Sequence, residues 1–439
     1  MGDHELNRKN QYDEAPQGEG RLDRAKFLRS GALAGGAMLA GAMAPAGAIA
    51  ADAGDAPLAI PETNKTLGAG VNDTPYGMPS KYERDVVRRT VPFLTADDKS
   101  SVSFTPLQDL DGIITPSGLC FVRDHGGSPM LIDPLQHRLV IHGMVDRPLE
   151  FTMNDLIRLP SESHVYFMEC GANGGMDYKG AQMQGVQFTH GMIHCCEWTG
   201  VKLSVLMDQV GVKSTAKWML AEGADAAAMT RSVPIEKALD DALIAWSQNG
   251  ERLRPENGYP LRLVLPGWQA NLNVKWLRRL KFGPDPWQTR EETSKYTELM
   301  PDGKSRQFDW VMGTKSVITG PCPEKPMMAK GFREVTGFAW SGYGTVTRVD
   351  VSFDGGVNWK QATLQEPIYT KALTRFRIPW EWDGETALLQ SRAVDDKGHV
   401  QPTQAQLLAA RGGNAIYNRN AIQTWRVNPN GTVDSVQVG

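Results

Sequence analysis

Short strand-like and helix-like runs of apolar residues alternate between residues 101 and 310, and only strand-like runs follow. Leu139-Val140-Ile141-His142-Gly143 predicts a strand. Thr152 sits where a cap belongs, ahead of a short helix holding Leu156 and Ile157 that ends at Pro160. Leu203, Leu206, Met207 and Val210 recur at helical spacing and stop at Gly211, a helix with its terminator. Val165-Tyr166-Phe167-Met168 is aromatic and β-branched, then breaks into Cys170-Gly171-Ala172-Asn173-Gly174-Gly175, which predicts a strand with Cys170 on the loop at its end. After Pro321-Cys322-Pro323, Val349, Val351 and Phe353 alternate with polar residues, Asp354-Gly355-Gly356 supplies a turn, and Val357 and Trp359 resume the alternation. Further alternating runs surround Phe376-Arg377-Ile378-Pro379-Trp380 and 389–394. With no helical period among them, these strands predict a separate β-sandwich over about 318–430.

The 439 residues carry 47 Lys+Arg and 50 Asp+Glu, a net charge of −3, which disfavours nucleic acid as the partner. With 41% hydrophobic and 22% charged residues the composition is that of a globular protein rather than a disordered or polytopic membrane one. The amino terminus stands apart. Arg21, Arg24, Lys26 and Arg29 precede an uncharged run rich in Ala and Gly from Ser30 to Ala50, closing with Ala48-Ile49-Ala50, and this predicts an export signal over 1–50 and a periplasmic mature chain. Its long polar lead resembles a twin-arginine (Tat) signal, with Phe27-Leu28-Arg29 in the expected slots and Arg24-Ala25 where the arginine pair belongs. Pro45 and the many small residues weigh against a retained span of about 20 residues, so no membrane span is expected in the mature chain. Residues 51–100, rich in Pro, Gly, Asn and Asp, predict an extended arm.

Five cysteines, Cys120, Cys170, Cys195, Cys196 and Cys322, are too few and too irregularly spaced for a disulfide scaffold, and no Cys-x-x-Cys-His motif attaches a haem to the chain. Cys170 is the first chemical candidate. A thiol at a strand end, followed by glycines that leave backbone amides open, suits something bulky and anionic; a small buried cysteine is the alternative. His190, His194, Cys195 and Cys196 form a second cluster, with His residues at helical spacing beside paired thiols, open to zinc or copper or to simple packing.

Five ordered strings give Cys170 company: Phe121-Val122-Arg123-Asp124-His125, Met168 through Gly174, Glu197-Trp198-Thr199-Gly200-Val201, Asn257 through Arg262, and Leu265-Pro266-Gly267 leading to Asn273-Val274-Lys275-Trp276-Leu277. Together with 348–356 and Ala393-Val394-Asp395-Asp396, they resemble the sulfite oxidase family of molybdenum-cofactor enzymes over roughly residues 100–430, and within it most resemble the molybdenum subunits of sulfane dehydrogenases. The resemblance implies an α+β chain, with a mixed α/β molybdopterin domain over 101–315 and an immunoglobulin-like dimerisation domain over 318–430. It makes Cys170 the thiolate ligand of molybdenum, and thiolate softness suits a metal that cycles by two electrons. Arg123 matches the arginine that reaches the substrate anion and Tyr296 the active-site tyrosine. Phe121, Arg123, His125, Asp225, Asn257, Arg262, Asn273, Val274 and Lys275 match positions that hold the pterin and its phosphate, with Asn257 standing where many relatives have histidine. On chemistry alone Arg262 reads equally as a surface ion pair and Tyr296 as a rim aromatic.

The implied function is oxidation of sulfane sulfur on a carrier protein, with electrons passed to a haem c cytochrome subunit and a homodimer built through the C-terminal domain. Two alternatives are a dehydrogenase of free sulfite and, in another class, a non-catalytic β-sandwich binding protein. Sulfite-oxidising relatives commonly carry two arginines where this chain has Gly174-Gly175. The loss of cationic bulk favours a carrier-borne substrate, unless another basic residue takes the arginine's place.

Overall fold

The alternation at 138–143 forms the strand it predicts: Arg138–Gly143 turns Leu139 and Ile141 into a core where both are fully buried. The computed structural model describes residues 79–90, 102–126 and 131–438, so the export signal at 1–50 and most of the 51–100 arm lie outside the described residues. Arg138–Gly143 belongs to a five-stranded sheet ordered Leu149–Thr152, Arg138–Gly143, Leu277–Gly283, Trp218–Gly223 and Thr230–Pro234. Its one parallel pair, Arg138–Gly143 with Leu277–Gly283, makes the sheet mixed. Thr152 caps the helix Met153–Ile157 in a reciprocal box with Asp155. Leu203–Val210 buries Leu203, Leu206, Met207 and Val210 and ends at Gly211, whose φ of 66° closes the last turn.

A second sheet runs in the order Glu251–Arg252, Leu243–Gln248, Ile193–Lys202 and Ser161–Glu169, with Arg262–Val264 also paired to Leu243–Gln248. Alternate side chains of its two long strands enter different cores. Phe167, Ile193 and Cys195 join the core of the C-terminal sandwich, while Met168, Cys196 and Trp198 pack with Leu243 and Val264.

The C-terminal region is a sandwich of two antiparallel sheets. One runs Lys315–Gly320, Gly331–Trp340, Thr374–Trp382 and Thr363–Gln365; the other runs Lys360–Gln361, Val346–Ser352, Ala387–Asp395, Thr424–Val427 and Val433–Val436. Val317, Phe338 and Phe376 from the first meet Val349, Leu389 and Trp425 from the second. The hairpin after Phe353 returns only at Lys360, because Asp354 Oδ1 accepts the N–H groups of Val357 and Asn358 at 3.1 and 2.9 Å and removes them from the ladder. The sandwich also contains a helix, Gln404–Arg411, that the sequence pattern does not predict. Only Gln404 and Leu407 are buried along it, so it writes no apolar stripe, and a Thr403–Gln406 capping box sets its start. Among the described residues no helix is long and apolar enough to cross a membrane.

Candidate active site

Cys170 directly follows the strand Ser161–Glu169, and its backbone N–H donates to Met192 O at 2.9 Å, carrying the strand pairing one residue into the loop. Asn173 then ties the turn together. Its amide donates to Glu169 Oε1 and to His190 O, both at 2.9 Å, and accepts from Met192 N at 3.1 Å. Two glycines are there for space rather than freedom: a Cβ on Gly171 would lie 2.9 Å from the Gln269 amide, and one on Gly175 would lie 2.3 Å from Ile416 O. Gly174, at φ +83°, takes the left-handed turn between them.

The loop borders a cavity. Cys170, Arg123 and Tyr296 line it, and so do Phe121, His125, Asp225, Asn257, Arg262, Asn273, Val274 and Lys275. Residues spread over more than 170 positions of sequence thus face one space. The Cys170 thiol is raised by burial, opposed by the Ala172 backbone N–H and the Arg123 charge, so its thiolate calls for a cation. Lys275 ion-pairs with Asp124 and donates to Glu256 O at 3.0 Å; burial lowers it and Asp124 raises it. Arg262 is buried, brought down to about 10 by its burial, and gives N–H groups to the carbonyls of Asn257 and Asn273 at 2.8 and 3.0 Å. The Asn273 side chain is spent on the backbone, accepting from Leu265 N and donating to Gln269 O, which fixes the turn that lines the cavity. Asp225 is raised by burial, and its Oδ1 accepts Met229 N at 3.0 Å.

Tyr296 and His125 form a pair, with Tyr296 Oη and His125 Nε2 2.8 Å apart. Burial lowers His125 to about 3, helped by the charges of Arg123 and Lys275, while burial and the neighbouring Cys170 raise Tyr296. The imidazole is therefore neutral and accepts, and the phenol keeps its proton and donates. Tyr296 holds a φ of 54°, an uncommon backbone for a bulky residue.

Two residues packed around Tyr296 carry no local motif. Arg231 is 2% exposed, binds Asn271 Oδ1 and stands 5.3 Å above the Tyr296 ring; Tyr417 lies 4.8 Å from the same ring. Both come from segments whose only signal is a single arginine or tyrosine. Asp124, the partner of Lys275, lies inside the Phe121–His125 string, but the sequence reading assigns it no role.

The second cluster assembles differently from its sequence spacing. His190 ends the helix Val186–His190 and bonds Thr189 Oγ1 at 2.8 Å, whereas His194 lies on the strand Ile193–Lys202, so the pair shares no helix face. Strand alternation sends Cys195 to the sandwich core and keeps His194 and Cys196 together, where Cys120 joins them.

The residues present suit a molybdenum cofactor. A buried thiol awaits a soft cation, and Arg123, Lys275 and Arg262 supply positive charge for a phosphate. The buried Arg262 Nε lacks a protein partner while its side chain lines the cavity, as expected where a polar group completes the site.

The family model described as "Oxidoreductase molybdopterin binding domain" matches residues 125–291, and that described as "Mo-co oxidoreductase dimerisation domain" matches 306–425. The chain is 30% identical to the sulfite oxidase of Gallus gallus over 315 residues, 66% of this chain and 68% of that one. It is 30% identical to the mitochondrial sulfite oxidase of Homo sapiens, covering 75% of this chain and 65% of that protein, and 31% identical to the NADH nitrate reductase of Ulva prolifera, of which it spans only 34%. Among solved structures, the sulfane dehydrogenase SoxCD from Paracoccus pantotrophus superposes with a TM-score of 0.82 at 49% identity, covering 87% of this chain and 98% of that one.

Proposed function

The chain belongs to the sulfite oxidase family of molybdenum-cofactor oxidoreductases, and from that premise we propose that it oxidises sulfane sulfur carried on a partner protein and delivers the electrons to a haem c subunit. The observation that carries this reading is the 49% identity to a sulfane dehydrogenase over nearly all of that chain, against 30% to the sulfite oxidases. The cysteine loop supports it. No arginine can project from position 175, because the Ile416 carbonyl occupies the space a side chain would need.

Bound in the cavity, the molybdenum cofactor supplies two-electron oxidation of sulfur coupled to oxygen transfer. The chain's residues do the rest. Cys170 would ligate the metal through sulfur, while Lys275 and Arg262 hold the phosphate and Asn257 and Asp225 read polar edges of the pterin. Arg123 would hold an anionic sulfur group near the Tyr296 hydroxyl, whose proton is kept in place by neutral His125, with the Arg231 charge standing over the Tyr296 ring. Electrons leave through another polypeptide, since the sequence has no haem-attachment motif. The residues matched by the dimerisation-domain model would join two copies, and the leader at 1–50 would deliver the mature chain to the periplasm.

Arg231 favours a second reading, free sulfite as substrate, because with Arg123 it restores a pair of guanidinium groups near a small anion. Steady-state turnover with a cytochrome acceptor separates the two. A far higher kcat/KM on persulfide-loaded carrier than on sulfite is expected; efficient sulfite oxidation with no activity on the loaded carrier overturns the first reading.

A further inference from the structure

Cys120, His194 and Cys196 place one donor atom each within 4.8 Å of one another, and all three are buried. They come from two places in the chain: Cys120 from the turn ahead of Val122–Arg123, His194 and Cys196 from one face of the strand Ile193–Lys202. The sulfurs are 3.4 Å apart. Gln248 Nε2 lies 3.1 Å from Cys120 Sγ and 3.0 Å from Cys196 Sγ, an outer-shell donor of the kind that supports metal-bound thiolates, while as thiols the two sulfurs reach only the carbonyls of Pro116 and Thr115, each at 3.6 Å. His194 is 3% exposed, and neither ring nitrogen has a hydrogen-bond partner. The Gln248 carbonyl oxygen is also buried without one. Three unpaired polar atoms against two sulfurs is a costly arrangement for a plain core. His194 lines the cofactor cavity but neither cysteine does, so the sulfurs lie behind that wall.

We propose that Cys120, His194 and Cys196 bind a second metal ion, a zinc ion, distinct from the cofactor. Two thiolates and an imidazole are a soft set suited to a closed-shell cation, and the Gln248 amide stays in the outer shell, donating to both sulfurs and leaving the fourth tetrahedral position to a water. Binding displaces both thiol protons to solvent, and two thiolates with one Zn²⁺ leave the buried site neutral. No electron is transferred. The ion ties Cys120 to the cavity-wall strand three residues before Arg123, and so fixes the segment that presents Phe121, Arg123 and His125.

The test is metal analysis of the purified holoenzyme, produced with molybdate and zinc and dialysed against chelator, counting only the molybdenum-containing fraction so that misfolded chains do not enter. Wild type and the Cys195→Ala control should carry zinc at a one-to-one ratio to molybdenum. Cys120→Ser and Cys196→Ser should lower that ratio by more than about tenfold. Wild type grown with cobalt should show intense thiolate-to-cobalt charge transfer. Molybdenum-loaded wild type with no second metal and two free buried thiols overturns the proposal, and so does a chain lighter by two hydrogens, which marks a Cys120–Cys196 disulfide.

Discussion

Lys315 sets its ammonium 3.0 Å from Glu169 Oε1, with side chains 1% and 0% exposed, so the first residue of the sandwich is ion-paired with the residue that precedes the loop cysteine. Trp340 Nε1 donates to the other carboxylate oxygen at 2.7 Å, and Asn173 shares the first. Every acceptor site that matters is used, which is the condition under which a buried pair holds.

Removing either partner should therefore be severe, and the two losses should differ. Glu169→Leu strands the ammonium and two N–H donors, at a cost of about 3–5 kcal/mol, and should abolish molybdenum retention. Lys315→Met leaves a carboxylate that still has two donors and should be milder. Thermal melting and molybdenum content check the order; equal effects would argue against it.

Cys170→Ser should abolish turnover while the fold survives, because a protonated alcohol replaces a soft thiolate donor at a loop whose shape is set by Asn173 and Glu169 rather than by sulfur. Activity assay beside circular dichroism decides this. Near-normal turnover would remove Cys170 from the ligand role.

At the two loop glycines the costs should rank. Gly174→Ala meets nothing nearer than 3.4 Å and should cost about 1–2 kcal/mol, the strain of a left-handed φ. Gly175→Ala drives a methyl into the Ile416 carbonyl and should reach or exceed the upper end of the about 1–3 kcal/mol usual for overpacking. It should also raise KM, because segment 416–419 carries Tyr417. Denaturant melts and steady-state kinetics measure both.

His125 makes a pH-dependent contribution with a definite sign. Its folded value, about 3, lies below the unfolded value of 6.5, so between those limits the unfolded chain binds the extra proton. The stability it contributes is complete above 6.5 and is lost as pH falls toward 3. Replacing it in His125→Gln should flatten the decline in melting temperature over that window. Buried His190 and His194, also lowered, keep their own share.

Local signals made much of the architecture legible. Thr152 and Gly211 bracket helices through their own cap chemistry, and the break after Met168 locates the cysteine loop without reference to any distant residue. Most cavity residues were legible because they sit in contiguous strings; Asp225 and Tyr296 lie outside them and were matched one by one. What escaped was set by long-range packing. Lys315 and Glu169 are 146 positions apart, Cys120 and Cys196 are 76 apart, and neither separation leaves a trace in the intervening sequence. Arg231 and Tyr417 approach Tyr296 only because a sheet edge and the loop between Gln404–Arg411 and Thr424–Val427 converge there. The two-residue period of the strand Ile193–Lys202 sorted Cys195 from Cys196, which helical spacing had grouped.

Asn418 donates its backbone N–H to Gly171 O at 2.7 Å, so the loop is finished by a residue far downstream of it, beyond the start of the sandwich. A nascent chain halted before residue 315 lacks the counter-ion of Glu169, and one halted before 418 lacks the clamp on Gly171. A chain cut short of residue 418 is therefore expected to hold molybdenum poorly, so that metal content reports whether the C-terminal segment has docked on the cysteine loop.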